Sequence, residues 1–220
     1  MTNTINLRET FNDMFTMHVS LLYGLLTTMQ PMFFSMATDK GLHCDTGNFE
    51  RLLKMHEIIP DLLKVAPDQC LHVEINGKVL NPGDAVDFIE TLEKPNEIEW
   101  KHENGTFYSL IMTGLDVPSQ EDPHDRESQH WVVGNIPGNN ITAGDVLFPF
   151  EPAGVEYAEG IHRMVFLVYK QVLPLKFTDR VSEISEESIF RSNFSTEKFS
   201  EKYKLGLPIA VNFYEFDMEH

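Results

Sequence analysis

Positive charge is scarce in this 220-residue chain. Seventeen Lys and Arg face 34 Asp and Glu, giving a formal charge of −17 at pH 7. That balance argues against nonspecific binding to DNA, rRNA or anionic lipid surfaces, which takes clustered Lys and Arg to displace counterions. A local positive pocket is still compatible with it. Cysteine is nearly absent: Cys44 and Cys70 are the only two, and no C-x-x-C occurs. Neither a redox motif nor a zinc site is signalled. The two thiols are read either as a pair closing a loop in an oxidising compartment or as two free thiols. G-x-S-x-G, H-E-x-x-H, the P-loop and G-x-G-x-x-G are all missing, which removes the common hydrolase, zincin and nucleotide signatures. There is no Gly-X-Y period, no sustained heptad and no internal repeat. With 42% apolar and 23% charged residues, the chain reads as globular, with one core and room for an extension.

Residues 14–37 contain no Asp, Glu, Lys or Arg. Pro31 and the threonines interrupt the run, so a membrane span fits it poorly. A signal peptide fits better, with an apolar centre at 19–26 and small residues at Ser35 and Ala37. Arg8 is the only basic residue before that centre, opposed by Glu9 and Asp13; initiation at Met14 or Met17 would remove this mismatch. The expectation is a signal peptide or disordered extension over 1–37, a linker over 38–48 and a domain over 49–220. Localisation is expected to be secreted, with a cytoplasmic location as the alternative. Sequons at Asn104, Asn140 and Asn193 fit secretion.

Helical spacing of apolar residues predicts a helix over 49–65, broken near Pro60. Strand-like runs dominate afterwards: 71–75 closed by the turn Asn76-Gly77, then 79–80, 98–100, 107–113, 131–136 and 164–169. A short helix over 197–203 follows, capped by Ser195 or Thr196, and a last strand covers 209–216. Many short strands with few helices predict a mainly β fold, a sandwich or Greek-key assembly with peripheral helices.

Two segments carry the candidate chemistry: 112–131 and 160–164. His130 and His162 each sit where an apolar strand begins, so neighbouring strands would bring both imidazoles to one rim. There they can hold a bound anion, with Asp116 orienting one of them. The plainer reading is that each caps a strand end. A His-His-Asp metal site is a minor alternative, and no metal or cofactor is expected. Glu183, Glu186 and Glu187 read as a solvated loop.

These residues stand in a longer pattern. Asp116-Val117-Pro118-Ser119, Asp122-Pro123, Arg126-Glu127, His130-Trp131-Val132-Val133 and Asn135-Ile136-Pro137-Gly138-Asn139 follow one another in order. Gly160-Ile161-His162-Arg163 and Val165-Phe166-Leu167-Val168-Tyr169-Lys170-Gln171 come next. Phe199, Lys202-Tyr203 and Leu207-Pro208-Ile209-Ala210-Val211-Asn212-Phe213-Tyr214 complete the set, and His56-Glu57-Ile58-Ile59-Pro60-Asp61 with Ala66-Pro67 precede it. From about Phe49 to Phe216 the chain resembles the phosphatidylethanolamine-binding protein family.

The resemblance implies a large antiparallel β-sheet packed on a smaller one in Greek-key order. It implies a small cavity at one sheet end that takes a small anion or a phospholipid headgroup, with Asp116, Pro118, His130 and His162 as ligand-binding residues. It also implies cis peptide bonds at Val117-Pro118 and Arg126-Glu127. The departures fall on the cavity. Gly114 replaces an acidic residue, Met164 replaces a Tyr, and Gly154-Val155-Glu156-Tyr157 replaces a Gly-Pro-Pro stretch. Ser128 and Asp125 stand where Trp and Tyr are common. Gly114, Gly154, Tyr157 and Met164 are therefore candidate rim residues, with Tyr157 read as surface packing before a cover for the cavity. Relatives continue into a C-terminal helix near the cavity, so a more open cavity is expected here.

The function expected is a non-enzymatic, monomeric binding protein without nucleic-acid partners. The alternative is a protein-interaction regulator, of the kinase- or serine-protease-inhibitor type, with a vestigial pocket. A mitochondrial ribosomal subunit is the third reading, opposed by the acidic charge.

Overall fold

The computed structural model describes residues 46–154, 156–180 and 191–218. The expectations for residues 1–37, for Cys44 and for Glu183, Glu186 and Glu187 lie outside them; Cys70 is not free. The described residues lie within one compact unit, Gly41–His220.

Helix α1 (Thr46–Met55) places Phe49 and Leu53, one turn apart, against the core. The expected helix over 49–65 does not continue as one element. Glu57 takes a left-handed φ of 54° and starts a short α2 (Ile58–Asp61), because a residue with positive φ cannot propagate a right-handed helix.

Strands β1 (Gln69–Cys70), β2 (His72–Ile75), β3 (Lys78–Val79) and β4 (Asp84–Val86) follow, then α3 (Phe88–Thr91) and β5 (Glu97–Glu99). The β2–β3 turn has positive φ at both Asn76 (51°) and Gly77 (79°), as the primed hairpin turn requires. The long strands are β6 (Phe107–Gly114), β7 (Ser128–Pro137), β9 (Gly160–Gln171) and β10 (Ala210–Met218), with a short β8 (Asp145–Phe148) and α4 (Thr196–Tyr203). Ser195 caps α4 by accepting from the Lys198 N–H.

The large sheet runs β1-β10-β9-β6-β7-β8, with β4 also on β10; the small sheet runs β3-β2-β5. The long strands pair antiparallel as expected. The two short strands β1 and β4 instead pair parallel to β10. One face of the large sheet packs Leu110, Met112, Trp131, Phe166 and Tyr214 with the small sheet's Val73 and Ile98. The other packs Ile111, Val132, Leu167 and Phe213 with Phe49, Leu53 and Phe199 of the helices. A sheet covered on both faces explains why its strands read as continuous apolar runs.

Antiparallel register sets the site. Gly114 at the end of β6 pairs with Met164 near the start of β9 and with Ser128 at the start of β7. The segments carrying Asp116, His130 and His162 therefore meet at one edge.

Candidate functional site

A buried ion pair underlies this rim. Asp116 and Arg163 are 0% and 1% exposed, a burial that charged groups bear only when paired. Asp116 Oδ2 accepts from the Arg163 backbone N–H and from Nε, both at 2.9 Å, and Oδ1 accepts from Nη2 at 2.6 Å. Arg126 adds a contact to Oδ1 at 3.2 Å. Arg163 also donates to Asp61 and to the His56 carbonyl, each at 2.9 Å. Burial works against the Arg163 charge, but the hydrogen bonds and charge of Asp116, then of Asp61, outweigh it and raise its pKa.

This pairing changes the role expected for Asp116. Its carboxylate is engaged by arginines, and it is the Asp116 backbone carbonyl that lies 2.9 Å from His162 Nδ1. Pro118 follows a cis Val117-Pro118 bond, and the Arg126-Glu127 bond is also cis. The Pro118 carbonyl accepts from the Ala158 N–H at 2.8 Å, fastening the facing loop. Glu127, which sequence reasoning passed over, is buried. It accepts from the Thr196 N–H at 3.0 Å and from the Thr196 hydroxyl, tying the first turn of α4 to β7. Burial raises the Glu127 pKa, opposed by Thr196, Thr113 and Arg126.

The two histidines do converge, and a side chain of the protein lies between them. Tyr157 is not surface packing: it is 2% exposed and its ring is inserted into the site. It meets His162 edge-on at 4.8 Å between centroids, Phe216 edge-on at 5.4 Å, and stacks with His130 at 5.9 Å. The Tyr157 hydroxyl lies 2.8 Å from His130 Nε2, and the carbonyl of the next residue, Ala158, lies 2.7 Å from His162 Nε2. The expected open cavity is thus filled from within.

The filling depends on Gly114. A Cβ on Gly114 would sit 1.8 Å from the Tyr157 hydroxyl and 3.3 Å from His130 Nε2, so any side chain there excludes the ring. Met164 is buried in the same cluster as Tyr157. Gly154 lies at the turn before Tyr157, whose N–H bonds to the Gly154 carbonyl. A surface depression of about 700 Å³, lined by Ser119, Glu121, Ala158, Glu159 and Gly160, stops at Ala158 without reaching either histidine.

Hydrogen-bond partners fix the hydrogen on His130. Nδ1 lies 2.8 Å from the Glu151 carbonyl, which can only accept, so Nδ1 carries the proton. Nε2 then accepts from the Tyr157 hydroxyl. Burial lowers the His130 pKa to about 4, and the Arg191 charge adds to this while the Glu151 hydrogen bond opposes it. Burial, and then Glu156, Tyr214 and Asp116, push the Tyr157 pKa well up. At neutral pH both rings are uncharged.

The consequence for stability has a definite sign. An unfolded His takes up a proton near pH 6.5, and folded His130 does so only near 4. Between these values the unfolded chain binds the extra proton, so stability is lost as pH falls from about 6.5 towards 4, by roughly 3 kcal/mol at most. An NMR titration of the imidazoles is expected to give His130 a midpoint near pH 4. A midpoint near 6.5 would contradict its neutral, accepting role.

All three sequons are exposed, at Asn104, Asn140 and Asn193. Among the described residues no helix is long and apolar enough to cross a membrane.

Residues 83–214 match the family model described as phosphatidylethanolamine-binding protein. A Drosophila melanogaster protein named "Putative odorant-binding protein A5" is 30% identical over 169 residues, covering 76% of this chain and 80% of that one. A Toxocara canis "26 kDa secreted antigen" is 32% identical over 158 residues; the match covers 71% of this chain and 60% of the antigen's length. Among solved structures, "CG7054 solution structure" is 29% identical with a TM-score of 0.59, covering 74% of this chain and 92% of that one. A carboxypeptidase Y inhibitor solved with its cognate proteinase shares the fold at 20% identity, with a TM-score of 0.64, covering 79% of this chain and 96% of that one.

Proposed function

The chain belongs to the phosphatidylethanolamine-binding protein family, and on that premise we propose that it is a non-enzymatic binding protein. It holds a small anion or a phospholipid headgroup at the sheet-end site through His130 and His162. The observation that carries this reading is the convergence of both Nε2 atoms on one stretch of chain, Tyr157 and Ala158. Those two residues stand where a ligand's polar atoms would. Binding then requires Tyr157-Ala158 to leave, so affinity is reduced by the closed fraction. The segment is not tied into a strand or helix: neither Pro149–Gly154 nor Glu156–Glu159 carries regular structure. The secreted name of the Toxocara relative and the exposed sequons support a secreted protein.

The test is an amide NMR titration of the full chain with phosphoethanolamine, repeated on Tyr157→Ala and His162→Ala. Saturable shifts at Gly114, His130 and His162 are expected in the wild type. They should be stronger in Tyr157→Ala and absent in His162→Ala. Flat spectra to millimolar ligand in both wild type and folded Tyr157→Ala would overturn the reading. The filled site favours a second reading in that event. The site would be a packed remnant, and the protein a regulator that works through its surface, with 145–159, strand β8 and the residues after it, as the contact segment.

A further inference from the structure

Tyr157 and Ala158 report what the site asks of a ligand, because they satisfy it now. Resting on the binding role proposed above, we infer that the opened site selects a phosphomonoester carrying one proton over a phosphodiester, and that Tyr214 is its third ligand contact.

The demand at His130 is for a donor. Its Nδ1 is committed to the Glu151 carbonyl at 2.8 Å, so Nε2 presents a lone pair, now met by the Tyr157 O–H. A fully ionised oxygen placed there would face that lone pair with no hydrogen between them. The demand at His162 is the opposite. Both its nitrogens face carbonyls, Asp116 at 2.9 Å and Ala158 at 2.7 Å, so serving both takes a hydrogen on each nitrogen. An anionic oxygen in place of the Ala158 carbonyl keeps that demand and strengthens the bond.

Tyr214 supplies the third group. In register it pairs with Met164, which pairs with Gly114; cross-strand partners share a sheet face, so Tyr214 lies on the face that Tyr157 covers. Tyr214 is 0% exposed, and its hydroxyl has no hydrogen-bond partner among the described residues. A buried polar group left unmatched is uncommon and costly, and this one is a donor with nothing to donate to. It stands close enough to Tyr157 for the two phenol groups to couple electrostatically.

The combination is one acceptor and two donors. A phosphomonoester monoanion offers one P–O–H and ionised or double-bonded oxygens, so it meets all three. A phosphodiester has the oxygens but no phosphoryl proton. The arginines of the rim do not alter this pattern, since Arg163 and Arg126 are spent on Asp116 and Asp61.

Methyl phosphate and dimethyl phosphate differ in that proton and carry no amine, which makes them the probes. Each is titrated by NMR into the full chain near pH 6, where about half of a phosphomonoester keeps its second proton, with Tyr214→Phe in parallel. Methyl phosphate is expected to bind at least about tenfold tighter than dimethyl phosphate, and Tyr214→Phe to weaken it about tenfold while leaving the fold intact. Equal binding of the two esters, or an unchanged affinity in Tyr214→Phe, would overturn the inference and leave the binding role standing. Binding of neither ester, in the wild type or in Tyr157→Ala, would overturn both.

Discussion

Replacing Arg163 with leucine is expected to cost about 3–5 kcal/mol of folding stability, the usual effect of breaking a buried pair from one side. The substitution removes the two side-chain bonds to Asp116 and those to Asp61 and the His56 carbonyl. Asp116 then remains fully buried with the Arg163 backbone N–H and Arg126 as its partners. Urea denaturation checks this, and a loss under about 1 kcal/mol would show that Arg126 alone compensates. The double replacement Asp116→Leu with Arg163→Leu should cost clearly less than the sum of the singles, because no unpaired charge is left inside. The effect reaches the site as well. The Leu115 N–H donates to the Arg163 carbonyl at 3.1 Å, and the Asp116 carbonyl faces His162. Loosening the pair should therefore broaden the His162 signal.

The second large effect is expected at a glycine. Gly114→Ala puts a methyl 1.8 Å from the Tyr157 hydroxyl, a separation that no packing allows, so the ring must leave the site. The cost is the burial of one aromatic side chain, about 2–3 kcal/mol. Because His130 owes its low pKa first to burial, opening the site to water should move its titration upward from about 4. Removing only the hydroxyl, with Tyr157→Phe, takes away the 1.8 Å contact and leaves a ring atom 3.0 Å from the new methyl, so the ring has to give by only a few tenths of an ångström. Gly114→Ala should thus cost much less in the Tyr157→Phe background than in the wild type. Equal cost in the two backgrounds would mean that the ring and Gly114 are not opposed as described. The same logic explains one departure at this rim. At Gly114, where the family resemblance implies an acid, the Tyr157 hydroxyl occupies the place a side chain would take.

Local signals carried the elements. Asn76-Gly77 specified its hairpin because both residues tolerate positive φ. Ser195 marked the start of a helix by its capping oxygen, and the apolar runs 107–113, 131–136 and 164–169 became the central strands. The ordered matches around Asp116, His130 and His162 pointed to the family, its fold and the edge where the histidines meet. These features are written in neighbouring residues, so a linear reading reaches them.

Tertiary structure decided the rest. The helix expected over 49–65 ended at Met55, because Glu57 takes a left-handed φ, which apolar periodicity does not reveal. Asp116 reads in sequence as a residue that orients a histidine, but its carboxylate is held by Arg163, 47 positions away in the chain, and no local pattern announces that pairing. Tyr157 looked like a surface residue on a polar loop. Its insertion depends on the absence of a side chain at Gly114, which β6 brings to it across the sheet edge. Glu127 and Tyr214 likewise gain their meaning only from what surrounds them: Thr196 for one, an unfilled hydrogen bond for the other. The sequence by itself determined the family, the fold and the residues that meet at the rim. Whether that rim is an open cavity or a filled one was decided by long-range packing, since it turns on a contact between residues 43 positions apart.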